Sequence, residues 1–93
     1  MRKRHIKKTI EYNGLKIYLY DYKMEDPITI NSNIEAFDLE DNLLWKAENC
    51  SHGRYYDMQI DEANDNIEAN DGSSMYYDIE LLQGKIIKTY FRK

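Results

Sequence analysis

Two short strings occur twice in this 93-residue chain, and this repetition constrains its fold more than any other feature. Asn-Ile-Glu-Ala occupies residues 33–36 and again 66–69, while Tyr-Tyr-Asp followed by an apolar residue occupies 55–58 and 76–79. Apolar and polar residues alternate within the strings, as they do in strands whose side chains point in turn to two faces. The repeats therefore predict an architecture built from similar strands.

Turn-forming residues recur along the whole chain, roughly every 8–12 residues, which is the spacing of an all-β meander, barrel or sandwich. Asn13 and Gly14 join two β-rich runs, and this pair favours a type I′ hairpin turn because both positions need positive φ. We predict strands at about residues 5–12, 15–24, 33–39, 43–48, 55–61, 66–70, 75–82 and 85–91. The predicted fold is all-β: one domain, residues 1–93, forming a mostly antiparallel meander of about seven to eight strands as an open barrel or sandwich.

The two copies of each string, laid in register, predict which side chains face the core. The inward set is Tyr56, Met58, Ile60, Tyr77, Ile79 and Leu81, together with Ile34, Ala36, Ile67, Ala69 and the following Trp45. The outward set is Tyr55, Asp57, Gln59, Tyr76, Asp78 and Glu80, together with Glu35 and Glu68. The sequence therefore predicts one sheet face that is acidic and rich in tyrosine.

Charge is distributed unevenly along the chain, although the net charge is only −4. Residues 1–24 carry a net charge of +5, residues 25–80 carry −13, and residues 81–93 carry +4. In one interpretation the basic ends neutralise the acidic middle across neighbouring strands. In the other, the middle presents an acidic surface to a basic partner.

The single cysteine, Cys50, excludes an internal disulfide, and no N-terminal apolar run indicates a signal peptide. No apolar stretch approaches the roughly 20 residues that cross a bilayer. From these features we expect a cytoplasmic protein with no membrane partner.

Several residue groups invite a chemical interpretation, but none has the spacing that the chemistry needs. Cys50 and His52 are too few for a structural zinc site, and no third group is placed to orient them as a nucleophile and its base. The acidic turn that begins at Asp61 lacks the ligand spacing of an EF-hand. Exposed carboxylate pairs occur on any acidic sheet, so they do not identify a hydrolase. We therefore expect no catalytic residues, no metal and no cofactor.

Tyr18, Tyr20 and Tyr22 form an aromatic stripe with Lys16 and Lys23, which on a small barrel could stack single-stranded bases. The carboxylates of the middle segment would repel phosphate, and this disfavours nucleic acid as a partner. A nucleic-acid-binding barrel stays open as an alternative, as do a small hydrolase and an obligate homo-oligomer.

The stretch from Ala36 and Asp38 through a short turn to Trp45 resembles the repeat of quinoprotein-type β-propellers, where alanine and aspartate end one strand and tryptophan lies on the next. Ninety-three residues supply about two such repeats, too few to close a propeller. The resemblance implies a small meandering sheet and carries over no quinone cofactor.

Together these features predict a small acidic protein-binding module without enzymatic activity. In general character it is similar to bacterial immunity proteins, inhibitors that neutralise a toxin, and the expected partner is a basic protein. The predicted partner-binding residues are the outward members of the repeats: Glu35, Tyr55, Asp57, Glu68, Tyr76, Asp78 and Glu80. Tyrosine provides contact area at a low entropic cost, and carboxylates orient a cationic partner.

Overall fold

The computed structural model describes residues 5–21, 33–50 and 54–92, and within them the chain is all-β. The eight strands are β1 (Ile6–Tyr12), β2 (Leu15–Tyr20), β3 (Ile34–Phe37), β4 (Leu43–Lys46), β5 (Asp57–Asp61), β6 (Asn66–Asn70), β7 (Met75–Glu80) and β8 (Ile86–Phe91). They form two four-stranded antiparallel sheets, ordered β1-β2-β3-β4 and β5-β6-β7-β8. The described residues do not close a barrel, and the predicted all-β antiparallel fold is confirmed.

The β1–β2 hairpin has the turn that its sequence predicts. Asn13 has φ of 51° and Gly14 has φ of 77°, the two positive values that a type I′ turn requires. The later part of the second predicted strand, residues 22–24, and the loop predicted around Pro27 lie outside the described residues.

One hydrophobic core is shared by the inward faces of the two sheets. Its buried apolar residues are Ile17, Leu19, Ile34, Ala36, Trp45, Ala47, Cys50, Tyr55, Met58, Ile67, Ala69, Tyr77 and Ile79. Trp45 is buried as predicted, and its Nε1 donates a hydrogen bond of 2.8 Å to the carbonyl oxygen of Leu81. Gly84 allows this approach, because a side chain at that position would overlap the indole ring. The β7–β8 turn is thereby held against β4.

The two Asn-Ile-Glu-Ala strings begin equivalent interior strands of the two sheets. Both asparagines are 4% exposed and both glutamates are 9% exposed, while both isoleucines and both alanines are fully buried. Ala36 lies between Ile17 and Trp45 in the first sheet, and Ala69 lies between Met58 and Tyr77 in the second. The small side chain leaves room for a large neighbour beside it. The repeated string therefore marks a repeated packing position.

The predicted orientation of the first tyrosine pair is wrong. Tyr55 is 1% exposed, whereas Tyr56 is 53% exposed, the reverse of the prediction. The strand begins at Asp57, two residues later than expected, and strict alternation applies only within a strand. The Tyr55 ring packs edge-on against Tyr77, and its hydroxyl donates to the carbonyl oxygen of Glu48 at 2.6 Å. Met58, by contrast, faces inward as predicted.

Candidate functional site

The face of the second sheet that points away from the core holds most of the predicted site residues. We call it the outer face, and it comprises Asp57, Gln59, Glu68, Asn70, Tyr76, Asp78, Glu80, Lys88, Tyr90 and Arg92. Strand register places Gln59, Glu68, Asp78 and Lys88 in one row across the sheet. Asn70, Tyr76 and Tyr90 form the next row. All of these residues except Arg92 lie on a strand, and Arg92 directly follows β8, so the strands position the face.

Glu68 is the centre of a hydrogen-bond network on this face. Its Oε2 accepts from the Tyr90 hydroxyl at 2.6 Å and from Arg92 Nη2 at 2.7 Å. Its Oε1 accepts from Gln59 Nε2 at 2.6 Å and from Arg92 Nη1 at 3.3 Å. These donors favour the ionised form and lower the pKa of Glu68, the Tyr90 hydroxyl most strongly, even though burial opposes them.

Two tyrosine rings and a guanidinium group stack beside this carboxylate. The rings of Tyr76 and Tyr90 lie 5.9 Å apart with an angle of 22° between their planes. The guanidinium carbon of Arg92 lies 4.6 Å from the Tyr76 ring centroid and 5.7 Å from that of Tyr90. Because Arg92 also makes a two-pronged ion pair with Glu68, its orientation over the rings is fixed. The result is a rigid aromatic and cationic platform.

Asp78 and Tyr90 are both harder to ionise than usual. Burial is the main cause of the raised pKa of Asp78; the Tyr90 hydrogen bond opposes it, and the charge of Glu68 adds to it. Burial also raises the pKa of Tyr90, followed by its hydrogen bond to Glu68. The Tyr90 hydroxyl donates to Asp78 Oδ1 at the longer distance of 3.3 Å. Two carboxylates that share one tyrosine thus have pKa values shifted in opposite directions.

An open depression of about 170 Å³ lies next to the platform. Its lining is Tyr56, Asp57, Met58, Gln59, Glu68, Asn70, Tyr76 and Arg92. Asp57 and Glu68 therefore line one concavity, an arrangement that a hydrolase with two carboxylates would need. The donors around Glu68 lower its pKa, however, and this disfavours the group as a general acid, which must be protonated near neutral pH.

Basic residues from both ends of the chain contact the acidic middle. Lys8 lies 3.3 Å from Asp57, and Arg92 pairs with Glu68. Lys7 Nζ lies 3.6 Å from the centroid of the Tyr56 ring and donates to the Tyr56 carbonyl oxygen at 2.6 Å. Cross-strand neutralisation, the first of the two interpretations of the charge pattern, therefore occurs at these positions. These ion pairs hold the side chains of the outer face in place and reduce the negative charge of that face.

The structure separates two predicted site residues from the others. Tyr55 lies in the core, and Glu35 lies on β3 of the first sheet, where it is 3.9 Å from Lys46. Glu35 and Glu68 do point away from the core, yet neighbouring side chains cover both, so their predicted exposure is wrong. Glu80 remains on the outer face, where its carboxylate accepts from the backbone N–H of Lys85.

Sequence reasoning did not select Tyr90 and Arg92, which both donate hydrogen bonds to Glu68. A signal was available, because alternation along 85–91 places Tyr90 on the same face as Lys88. Nothing in the sequence, however, indicated that the strand pairs with β7 at the register that brings Arg92 to Glu68.

The predicted tyrosine and lysine stripe is partly formed on the first sheet. The ring of Tyr18 lies 6.1 Å from that of Tyr20 and 5.4 Å from that of Phe37. Lys16 is paired with Asp41 at 3.2 Å, which reduces the positive charge that would attract phosphate. Tyr22 and Lys23, the other members of the stripe, lie outside the described residues.

The cysteine loop gains no support as a chemical site. Cys50 is 6% exposed, and its Sγ donates to the carbonyl oxygen of Arg54 at 3.0 Å. His52 falls outside the described residues. Among residues 5–21, 33–50 and 54–92, no group of three or more His, Cys, Asp or Glu side chains could hold a metal ion.

Comparison with protein-family models, with curated proteins and with solved structures gives no significant match. In the part of the chain that the structure describes, no helix is long and apolar enough to span a bilayer.

Proposed function

We propose that this chain is a small protein-binding module that contacts its partner through the outer face of the second sheet. The observation that supports this most directly is the stacked platform of Tyr76, Tyr90 and Arg92 beside an open depression. Tyrosine and arginine are the residue types most enriched at the energetic centres of protein interfaces. Here Tyr90 and Arg92 are held in place by Glu68, so binding would immobilise few additional side chains.

The partner that fits this face is a basic protein. Two rings at this face already accept a cation from the same chain, since Lys7 lies over Tyr56 and Arg92 lies over Tyr76, and this supports the proposal of a cationic partner. Asp57 has a side chain that is 56% exposed, so it remains accessible beside Lys8. Two further carboxylates belong to Asp61, the last residue of β5, and to Asp78 on β7. In this proposal the chain acts as an inhibitor that masks a basic partner, such as a toxin, and has no enzymatic activity.

The test is affinity capture from the organism that encodes the chain, followed by mass spectrometry. A double variant, Asp57→Asn with Tyr76→Ala, removes one carboxylate and one platform ring from the depression. We expect the wild-type chain to retain a basic protein that the double variant loses. Both side chains are outside the core, so the variant should keep its fold, which circular dichroism will verify.

A matched control on the first sheet separates the two faces. Tyr18→Ala removes an aromatic side chain that likewise contacts a neighbouring ring, but on the opposite side of the molecule. It should leave capture unchanged. If the double variant retains the same proteins as the wild type, or if the control loses them instead, the assignment to the outer face is wrong.

A nucleic-acid-binding function has one supporting observation, the contact of Tyr18 with Tyr20 and Phe37 on the first sheet. Successive bases stack on such rings. Binding of a labelled single-stranded oligonucleotide that weakens steeply with salt, and that is lost in Tyr18→Ala, would favour this alternative.

A further inference from the structure

We propose that β8 is a self-association edge, on which a second copy of this chain adds its own β8 in antiparallel orientation around Thr89. The pairing would join two four-stranded sheets into one of eight strands across a two-fold axis. It is distinct from the outer-face proposal, because it uses the backbone edge of the sheet.

The edge of β8 is open within the described residues. β8 ends the order β5-β6-β7-β8, and no described strand pairs with its other side. The other edges differ: β1 and β5 lie beside each other, joined by Lys8 to Asp57, and β4 has only four residues. With six residues, β8 is the longest edge available to a partner strand.

The backbone of β8 presents unused groups at alternate residues. The N–H of Arg92 donates to Ser74 at 2.9 Å, so Arg92 is a hydrogen-bonded position against β7. Antiparallel pairing alternates, which makes Tyr90 and Lys88 hydrogen-bonded positions as well. The N–H and C=O groups of Thr89 and Phe91 then point away from β7, toward the open edge.

Two apolar side chains of this strand are also exposed, whereas Ile86 packs against the core. Phe91 is 76% exposed and Ile87 is 59% exposed, although register with Met75 and Tyr77 puts Phe91 and Thr89 on the core side of the sheet. A long edge strand with exposed apolar side chains is a site of association unless something blocks it. A register shift leaves Ile87 without a partner on β7. We therefore place the start of the pairing with a second copy at about residue 87 and its end at about residue 91.

The charges of β8 select the register. With Thr89 opposite Thr89 of the second copy, Lys88 lies opposite Tyr90 and Ile87 lies opposite Phe91. The first pair is a cation–aromatic contact, of which Lys88 and Tyr90 already form a version within one chain at 5.4 Å. A shift centred on Lys88 would oppose two lysines, and one centred on Tyr90 would oppose Lys88 to Arg92. Like charges directly opposite destabilise both of those registers.

Cross-linking tests the register. Directly opposed residues in a hydrogen-bonded antiparallel pair have Cα atoms about 5.5 Å apart, which suits a disulfide. Thr89→Cys should therefore form a covalent dimer when oxidised with oxidised glutathione. The wild-type chain, whose only cysteine is buried, should not. Phe91→Cys serves as the register control, and a dimer that forms through residue 91 but not through residue 89 would overturn the proposed register.

Sedimentation equilibrium tests the association itself. The mass should rise from 11.2 kDa toward twice that value as concentration increases, with a dissociation constant on the order of 100 µM because the edge contact is small. Thr89→Pro removes only a donor that faces the open edge, so it should abolish the dimer and leave β7–β8 pairing intact. Thr89→Val should keep both the dimer and the β7–β8 pairing.

A second pair of variants keeps the test decisive if proline prevents folding. Phe91→Lys changes a mostly exposed side chain and should abolish association, whereas Leu82→Lys changes an even more exposed apolar residue in the β7–β8 turn and should not. A chain that remains monomeric at every concentration and gives no cross-link through residue 89 would overturn the proposal. So would association that Phe91→Lys leaves unchanged, because the partner would then occupy another surface.

Discussion

The two copies of Asn-Ile-Glu-Ala have the same burial at every position, yet their glutamates have different surroundings. Glu68 accepts from Gln59, Tyr90 and Arg92, with the closest guanidinium nitrogen at 2.7 Å. Glu35 lies 3.9 Å from the ammonium group of Lys46. The string therefore determines how deeply a strand is buried, while residues on neighbouring strands determine what each carboxylate can do.

The asparagines differ in the same way. Asn33 joins the two sheets: its Nδ2 donates to Tyr20 and Tyr55 carbonyl oxygens at 2.9 and 2.8 Å, and its Oδ1 accepts from the Tyr55 N–H at 2.7 Å. Asn66 is equally buried, but its Oδ1 has no hydrogen-bond partner in the described part of the chain. Of the two copies, the first therefore stabilises the contact between sheets, and the second supports the outer face.

The largest expected difference between the copies is at these asparagines. Asn33→Ala removes three hydrogen bonds and leaves buried backbone groups of Tyr55 without partners, so it should lower the free energy of unfolding by about 3 kcal/mol. Asn66→Ala should lower it by only about 1 kcal/mol. Urea denaturation followed by Trp45 fluorescence measures both.

Equal losses for the two alanine variants would contradict this comparison. They would mean that burial of the amide, which the copies share, matters more than its hydrogen bonds. The unfolding cooperativity must stay unchanged for the two values to be compared.

A smaller difference is expected at the glutamates near neutral pH. Glu68→Gln weakens the ion pair with Arg92 and the hydrogen bond from Tyr90, and should cost about 1 to 2 kcal/mol. Glu35→Gln should cost less than Glu68→Gln, because the ammonium group of Lys46 lies farther from Glu35 than the Arg92 guanidinium lies from Glu68. The same urea experiment ranks them, and a larger loss for the Glu35 variant would reverse the comparison.

The pH dependence of Glu68 provides an independent check. Its pKa is lower in the folded state than the ordinary value of 4.5, so ionisation stabilises the fold above that pH. As pH falls below about 4.5, the unfolded chain takes up the proton first and this stabilisation is lost. The stability difference between wild type and Glu68→Gln should therefore shrink between pH 7 and pH 3. A constant difference over this range would show that ionisation of Glu68 contributes nothing.

The sequence was sufficient for the all-β antiparallel fold class because the local signals agree with one another, but not for the division into two sheets. Positive φ at Asn13 and Gly14, alternation within the strings and the bounds of β6 all follow from residues close together in the chain. The predicted side-chain directions failed at Tyr55 and its neighbour Tyr56. Both tyrosines precede β5, and the Tyr55 backbone is held by Asn33, which lies 22 residues earlier.

The site was less predictable, because its properties come from contacts between distant strands. Alternation identified Asp57, Tyr76 and Asp78 as outward residues, and they do lie on the outer face. It could not reveal that Arg92 reaches Glu68 across 24 residues, or that Lys8 reaches Asp57 across 49. The sequence therefore left open whether the acidic face is paired, and the fold pairs Asp57 with Lys8 and Glu68 with Arg92.

The smallest expected effect has the opposite sign and concerns the second carboxylate beside Tyr90. Burial and the charge of Glu68 raise the pKa of Asp78, so its ionised form is less favourable in the folded chain than in the unfolded chain. Asp78→Asn removes that charge and keeps an oxygen that can accept from Tyr90. It should raise the free energy of unfolding at pH 7 by less than about 1 kcal/mol. The gain should vanish below about pH 3.8, where the aspartate is protonated in both states.

Urea denaturation of Asp78→Asn alongside Glu68→Gln at pH 7 and pH 3 gives the comparison directly. If both variants destabilise the chain at pH 7, the two carboxylates are equivalent supports of the Tyr90 hydroxyl, and the contrast in their pKa shifts has no consequence for folding.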